Sequence, residues 1–410
     1  MTTRRNVLIL AGGVAVAGGT AALIGTRPGP ATDAVAVDLV PDVLLAESRN
    51  GLVVLGGARP AGLGAQAAAS ADGRFVYAVT GGSVLMRFDP ADGISTRSAQ
   101  LGGGWLPRVI SGEGRACALS RTAATPRPAG RTRSPLLVTT EGRQREYDLA
   151  GAVEPDAFTS DNTGLFVLEW QPATAPDRYR VRLLDLAAGT VGPLFTRDKA
   201  AVPPGAEEEM RGDGRQAAPS PDGRILYTLY THQPGHRHTR DLLSGRPSGA
   251  HAFVHVLNLA ERWAYCLDLP HPFGEGPAAG HALAVRPDGG ELMVFDTTSG
   301  SLAYADTAAL AISRVVRVPA ADGTASLAFT PDGARVLAGV GRAVLVLGHA
   351  DGAATGRWPV PAAVRGLGVS RDGARVYCGG ADEVVWLDSS SGSVRGRAPV
   401  EGLHTLRHVR

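Results

Sequence analysis

One short turn recurs along this chain and constrains its fold more than any other feature. SADGR at Ser70, SGEGR at Ser111, SDNTG at Ser160, SPDGR at Ser220, RPDGG at Arg286, TPDGA at Thr330 and SRDGA at Ser370 follow one another at intervals of 40 to 66 residues. Each lies between two apolar runs, as in SLAFTPDGARVLAGV (326–340) and LGVSRDGARVYCGG (367–380). In such a turn glycine supplies a positive φ and aspartate bonds the neighbouring backbone, so the flanking runs read as paired strands, not helices. The 54 glycines of the 410-residue chain agree with a fold that needs many turns.

A second hairpin follows each of the first. RVYCGG (375–380) leads into EVVWLD (383–388), the turn SSSGS and VRGRAPV (394–400); RFVYAV (74–79) leads into VLMRFD (84–89), PADG and ISTRSAQ (94–100). Four short strands in roughly 40–45 residues make one blade of a β-propeller. Through its PDG turns and the apolar-Asp-turn pattern of VVWLDSSSG, the chain resembles the YVTN-type and WD-repeat-like propeller families over residues 35–410. That resemblance implies an all-β ring and no particular activity, since such folds carry unrelated functions.

Seven turns give seven blades between Gln66 and Val400, and the leftovers at the two ends are complementary. GLHTLRHV (402–409) is similar to the inner-strand sequence GHALAVR (280–286), while VAVDL, DVLLAES and GLVVLGG (35–57) supply three more strands. Pairing the two ends closes the ring and removes its exposed edges. Eight blades are therefore expected, with seven as the alternative.

The amino terminus reads as a separate segment. Arg4 and Arg5 precede an apolar run from Val7 to Ile24 and a small-residue exit up to Ala34, and TRRNVLI resembles a twin-arginine export signal. Residues 1–34 are expected to be a signal peptide or a membrane anchor, and the protein to be secreted or held in the cell envelope. Without that segment, 38 basic and 38 acidic residues remain, so neither nucleic acid nor an anionic membrane is indicated as a bulk partner. Cys117, Cys266 and Cys378 are an odd number at wide spacing inside apolar runs, and read as buried small hydrophobes instead of a disulfide framework. A monomer is expected.

Alternating strand direction sorts every loop onto one of two faces. With strands labelled A to D from the channel outward, the PDG turns join A to B; the B–C and D–A connections lie opposite. The long connections (120–134, 171–178, 197–216, 231–250 and 269–281) all belong to the second face, so residues 120–281 are expected to build one rim there. Its arginine-rich loop, with Arg121, Arg127, Arg131 and Arg133, could hold a carboxylate, a phosphate or an anionic envelope polymer. His281 and His404 both stand just before an inner strand, at the channel mouth.

YTHQPGHRH (230–238) opens the longest B–C insertion. His232, His236 and His238, with His271 and His251 nearby and Glu207, Glu208, Glu209, Asp213, Asp241 and Glu275 on the same rim, have the donor chemistry for zinc or another divalent metal. The spacing H-x3-H-x-H matches no established metal signature, and the loop alone also reads as polar and solvated. His255, inside FVHVLNL, reads as structural. No nucleophile elbow, phosphate loop, dinucleotide fingerprint or calcium loop is present. Two functions follow as expectations. The first is an exported binding module whose long-loop face recognises a protein or envelope ligand. The second is a metal-assisted hydrolase or lyase at the channel mouth, centred on His232, His236, His238 and His281.

Overall fold

The computed structural model describes residues 39–58, 60–140, 143–212, 215–246 and 249–410; the expected export segment, residues 1–34, lies outside them, as does Asp213. Eight four-stranded antiparallel sheets form a ring, and the only α-helix among the described residues is Thr239–Ser244. The repeated turn works as its residues require. In blade 7 the Thr330 hydroxyl donates to Asp332 (2.6 Å), the Asp332 carboxylate accepts from the Ala334 N–H (3.0 Å), and Gly333 takes φ +68°. Ser70, Ser220 and Ser370 make the same bond to Asp72, Asp222 and Asp372.

Ring closure follows the expectation from the two chain ends. Leu403–Val409 is the inner strand of blade 1, paired antiparallel with Leu44–Ser48, which is followed outward by Gly51–Leu55 and Ala61–Gly64. The outer strand is therefore Ala61–Gly64 and not VAVDL, of which only Leu39 lies among the described residues. Asp42 strengthens the joint by accepting hydrogen bonds from Arg375 (2.8 Å) and Tyr377 (2.7 Å) of blade 8.

The core sits between neighbouring blades. Tyr227, Leu229, Val254 and Val256 of blade 5 pack on Leu292, Val294 and Ala303 of blade 6, while Phe253, Leu257 and Cys266 turn the other way, towards Phe166 and Tyr179 of blade 4. This follows from the two-residue period of a strand, which sends alternate side chains to opposite faces. Both faces of the middle strands are covered, so Ile225–Tyr230 and Phe253–Asn258 are apolar almost throughout. A polar side chain in such a strand needs a partner.

Candidate metal centre

Blade 5 departs from the others at its outer half. Its strands are Gln216–Pro219, Ile225–Tyr230, Phe253–Asn258 and Ala264–Asp268, from the channel outward. Strand C places His255 directly opposite Cys266 of strand D. Two long connections, residues 193–215 from blade 4 and residues 231–252 between strands B and C, bring described residues of each, 206–211 and 233–238, over this pair.

The first connection delivers a carboxylate by simple alternation. Glu207 is held by Arg182 (3.1 Å) and Arg180 (3.7 Å), and Glu209 by Arg180 (2.6 Å) and Arg178 (2.7 Å), all on strand Arg178–Asp185 of blade 4. Glu208, between them, faces the other way. Its side chain is 11% exposed and lies against His236, His238, His255 and Cys266. The backbone beside it is fixed by a two-bond link between Met210 and Tyr179, each 2.9 Å.

The second connection delivers two imidazoles. Gln233 clamps it to the first, accepting from the Arg211 N–H (2.8 Å) and donating to the Arg211 carbonyl (3.0 Å). Gly235 turns the chain at φ +70°, and His236 and His238, two residues apart, then fall on one side while Arg237 is exposed. The His236 ring stacks on Phe253 (centroids 4.3 Å, 25°) and the His238 ring meets it edge-on (5.0 Å, 87°). His236, His238 and Cys266 are all buried.

Hydrogen bonds on the far side of each ring decide what faces inward. His236 Nδ1 lies 3.0 Å from the Glu209 carbonyl, which can only accept, so Nδ1 carries the proton and Nε2 the lone pair. His238 Nε2 bonds the Asp268 carboxylate, leaving the lone pair on Nδ1. Those two inward nitrogens are 3.1 Å apart, and Glu208 Oε2 lies 3.7 Å from one, 3.4 Å from the other and 3.3 Å from Cys266 Sγ. Lone pairs and a carboxylate aimed at one another repel unless a cation stands among them. That cation is either a proton on an imidazole or a metal ion.

The electrostatics of the separate groups say the same. Burial opposes the charge on Glu208, yet its bonds with His236 and His238 and the neighbouring His255 hold its carboxyl well below the usual range. Burial likewise opposes the His238 imidazolium, but Asp268 and Glu208 outweigh it and raise the pKa. Burial and the Glu208 charge push the Cys266 thiol well up. His255, also buried, is pushed down despite Glu208 beside it.

The four donor atoms of Glu208, His236, His238 and Cys266 lie within 4.8 Å of one another. Ligands about 2.0–2.3 Å from a tetrahedral centre stand roughly 3.3–3.8 Å apart, so the set fits zinc or a similar borderline metal with little movement. Imidazoles held from behind by a carbonyl and a carboxylate are the usual support for such a site.

Of the four histidines expected to bind metal, the structure therefore brings together His236 and His238. His232, at φ 57°, contacts Thr231 (2.9 Å), and His271 is exposed and pairs with Glu275 (2.8 Å). His281 is fully buried on the inner strand of blade 6; its Nε2 accepts from the Gly274 N–H (3.0 Å) and its Nδ1 bonds the Pro277 carbonyl (3.1 Å), leaving no ring nitrogen over. The cluster lies on the two connections over the outer strands of blade 5, of which Ala264–Asp268 gives Cys266, and not at the inner strands where the channel mouth was expected to hold it. His404 is exposed near the start of the inner strand of blade 1.

The arginine loop does not converge in the same way. Arg121 lies over the Trp105 ring (4.2 Å) and bonds Gly103; Arg131 points inward to Ser134, Val153 and Glu154; Arg133 pairs with Asp148 (2.8 Å). Arg127 is exposed on the loop. All three cysteines are free and buried, as expected, but Cys266 is more than a small hydrophobe. Its role and that of Glu208 depend on strand register and on chain crossing between blades, which no local spacing reveals.

No family model and no curated protein matches the sequence. Solved structures do. Citrobacter koseri AztD aligns over 89% of this chain and 96% of its own at 12% identity, with a TM-score of 0.52. Dihydro-heme d1 dehydrogenase NirN, in complex with DHE, aligns over 91% and 76% at 14% identity, TM-score 0.51, and the Pseudomonas aeruginosa periplasmic gluconolactonase PpgL over 90% and 99% at 17% identity, TM-score 0.45. The likeness is one of fold. The resemblance to YVTN-type and WD-repeat-like sequences rests on the PDG turns and the VVWLDSSSG pattern alone.

Proposed function

We propose that this chain is an exported metal-binding propeller, holding one zinc-class divalent ion on Glu208, His236, His238 and Cys266. The observation that carries this reading is the inward aim of both imidazole lone pairs, fixed by the Glu209 carbonyl and Asp268, onto a carboxylate and a thiol. A buried polar cluster in a blade otherwise filled with apolar residues is destabilising unless every member is satisfied, and a dication satisfies all four at once. Cys266 would bind as the thiolate, its proton leaving as the ion enters.

Four protein donors are one more than catalytic zinc sites usually have. Binding and release of the ion therefore stand ahead of hydrolysis or lysis in this reading. They also stand ahead of recognition of an anionic polymer, because Arg121, Arg131 and Arg133 are each engaged within the chain. Export is inferred from Arg4-Arg5 and the apolar run after them. The test is to purify the protein without a histidine tag, strip it with chelator and titrate it with zinc. One equivalent should bind, and His236→Ala with His238→Ala should abolish that binding while the far-ultraviolet dichroism stays that of a β protein. Unchanged binding in the double variant would overturn the assignment.

A further inference from the structure

A cavity of about 400 Å³ lies against the cluster, and Glu208, His238 and Cys266 form part of its wall. A closed structural site has no need of such a space. The volume falls at the lower end of the range, roughly 300–1,000 Å³, in which proteins enclose small organic ligands. Its remaining walls are largely apolar, with Leu194, Val202 and Met210 deep inside.

The mouth of the cavity has its own character. Six large hydrophobic side chains are exposed among the described residues, and two of them, Phe195 (38%) and Leu243 (52%), line this one cavity. Leu243 stands on the short helix that follows directly from His238, so the segment that supplies the ligand also supplies the exposed leucine. Tyr265 lines the same cavity, with the guanidinium groups of Arg240 (5.3 Å) and Arg197 (6.0 Å) near its ring. Arg240 is paired with Asp268, whereas Arg197 bonds the neutral carbonyl of Ala308. The opening thus combines apolar surface with Arg197, which pairs with no carboxylate among the described residues although Asp198 stands next to it on the same wall.

We infer that this cavity takes a small organic anion with an apolar body, its head group reaching the ion held by Glu208, His236, His238 and Cys266. The inference rests on the metal-binding reading above. A carboxylate head would stand as a fifth ligand, the number to which a four-coordinate zinc-class ion can expand. The body fills space lined by Leu194, Val202 and Met210, so affinity rises with the number of methylenes buried.

The experiment uses the full chain loaded with cobalt(II), whose visible bands weaken when a four-coordinate ion becomes five-coordinate. Octanoate should weaken the bands saturably, acetate should need at least tenfold more to do so, and 1-octanol, which has the body but not the head, should leave them unchanged. Leu243→Glu should leave the spectrum without octanoate intact and weaken the octanoate response at least fivefold. An intact cobalt spectrum that octanoate does not touch, or that acetate changes at the same concentration, overturns this inference and spares the metal site. A protein that takes up no cobalt overturns both.

Discussion

Blade 7 joins its second and third strands through Gly341 and Arg342 alone, whereas blade 5 spends residues 231–252 on the same connection. The two blades share the four-strand frame and the same hydroxyl-Asp-Gly turn, at Thr330 in one and Ser220 in the other. Their middle strands are equally buried. What differs is what the outer strands carry on the face towards the preceding blade: Leu345, opposite Arg357, holds in blade 7 the place that His255, opposite Cys266, holds in blade 5. The comparison teaches that a cluster of buried polar groups between the outer strands goes with an insertion that brings them partners. Here the insertion brings His236 and His238, and the preceding connection brings Glu208.

The comparison can be broken most strongly by removing ligands. His238→Ala should lower zinc affinity by well over a hundredfold, since losing an outer-shell partner alone costs about 10–100-fold, and isothermal titration would measure it. In blade 7, Leu347→Ala should do the reverse: a loss of about 2–5 kcal/mol in denaturant unfolding from the emptied core site, with zinc affinity unchanged. If the first variant lost stability but kept its affinity, the division between frame and site would be wrong.

Smaller effects sharpen the same division. Asp268→Asn keeps an acceptor near His238 Nε2 but removes the charge, and should cost zinc affinity roughly 10–100-fold without altering the β-sheet dichroism. Ring closure should respond to acid by itself. His408, on the closing strand, lies against the Gly73 turn, where a Cβ would come 2.6 Å from its ring. Burial, and secondarily the charge of Arg407, depress its pKa to about 4. The unfolded chain, with an ordinary value of about 6.5, binds the proton first, so stability on the order of 2–3 kcal/mol is lost as pH falls from about 6.5 to about 4. Urea melts across that window should show the loss, and His408→Gln should flatten it. Smallest of all, Thr330→Ala should cost about 1 kcal/mol by removing the hydroxyl that ties Asp332 and the Arg335 N–H into the turn.

The frame was legible in the sequence because its signals are local. A turn of five residues states its own geometry, and the complementary ends GLHTLRHV and DVLLAES announce ring closure through strand patterns that need no distant partner. The outer strand Ala61–Gly64 escaped because AGLG has neither the apolar run nor the β-branched residues of a strand; its partner Gly51–Leu55 holds it in place. The site was legible only in part, for the same reason in reverse. His236 and His238 are two apart on an extended segment, and local spacing can suggest that they share a side. His232 looked equivalent but is separated from them by the turn at Gly235. Glu208 was one of three equal glutamates until the arginines of Arg178–Asp185 claimed Glu207 and Glu209. Cys266 looked like any buried thiol until strand register set it opposite His255.

The most direct test of the central claim is X-ray absorption at the zinc edge on the fully loaded, tag-free protein. One sulfur at about 2.3 Å with three nitrogen or oxygen neighbours at about 2.0–2.2 Å is the shell that Cys266, His236, His238 and Glu208 would give. A shell without sulfur, or one unchanged by Cys266→Ser, would contradict it.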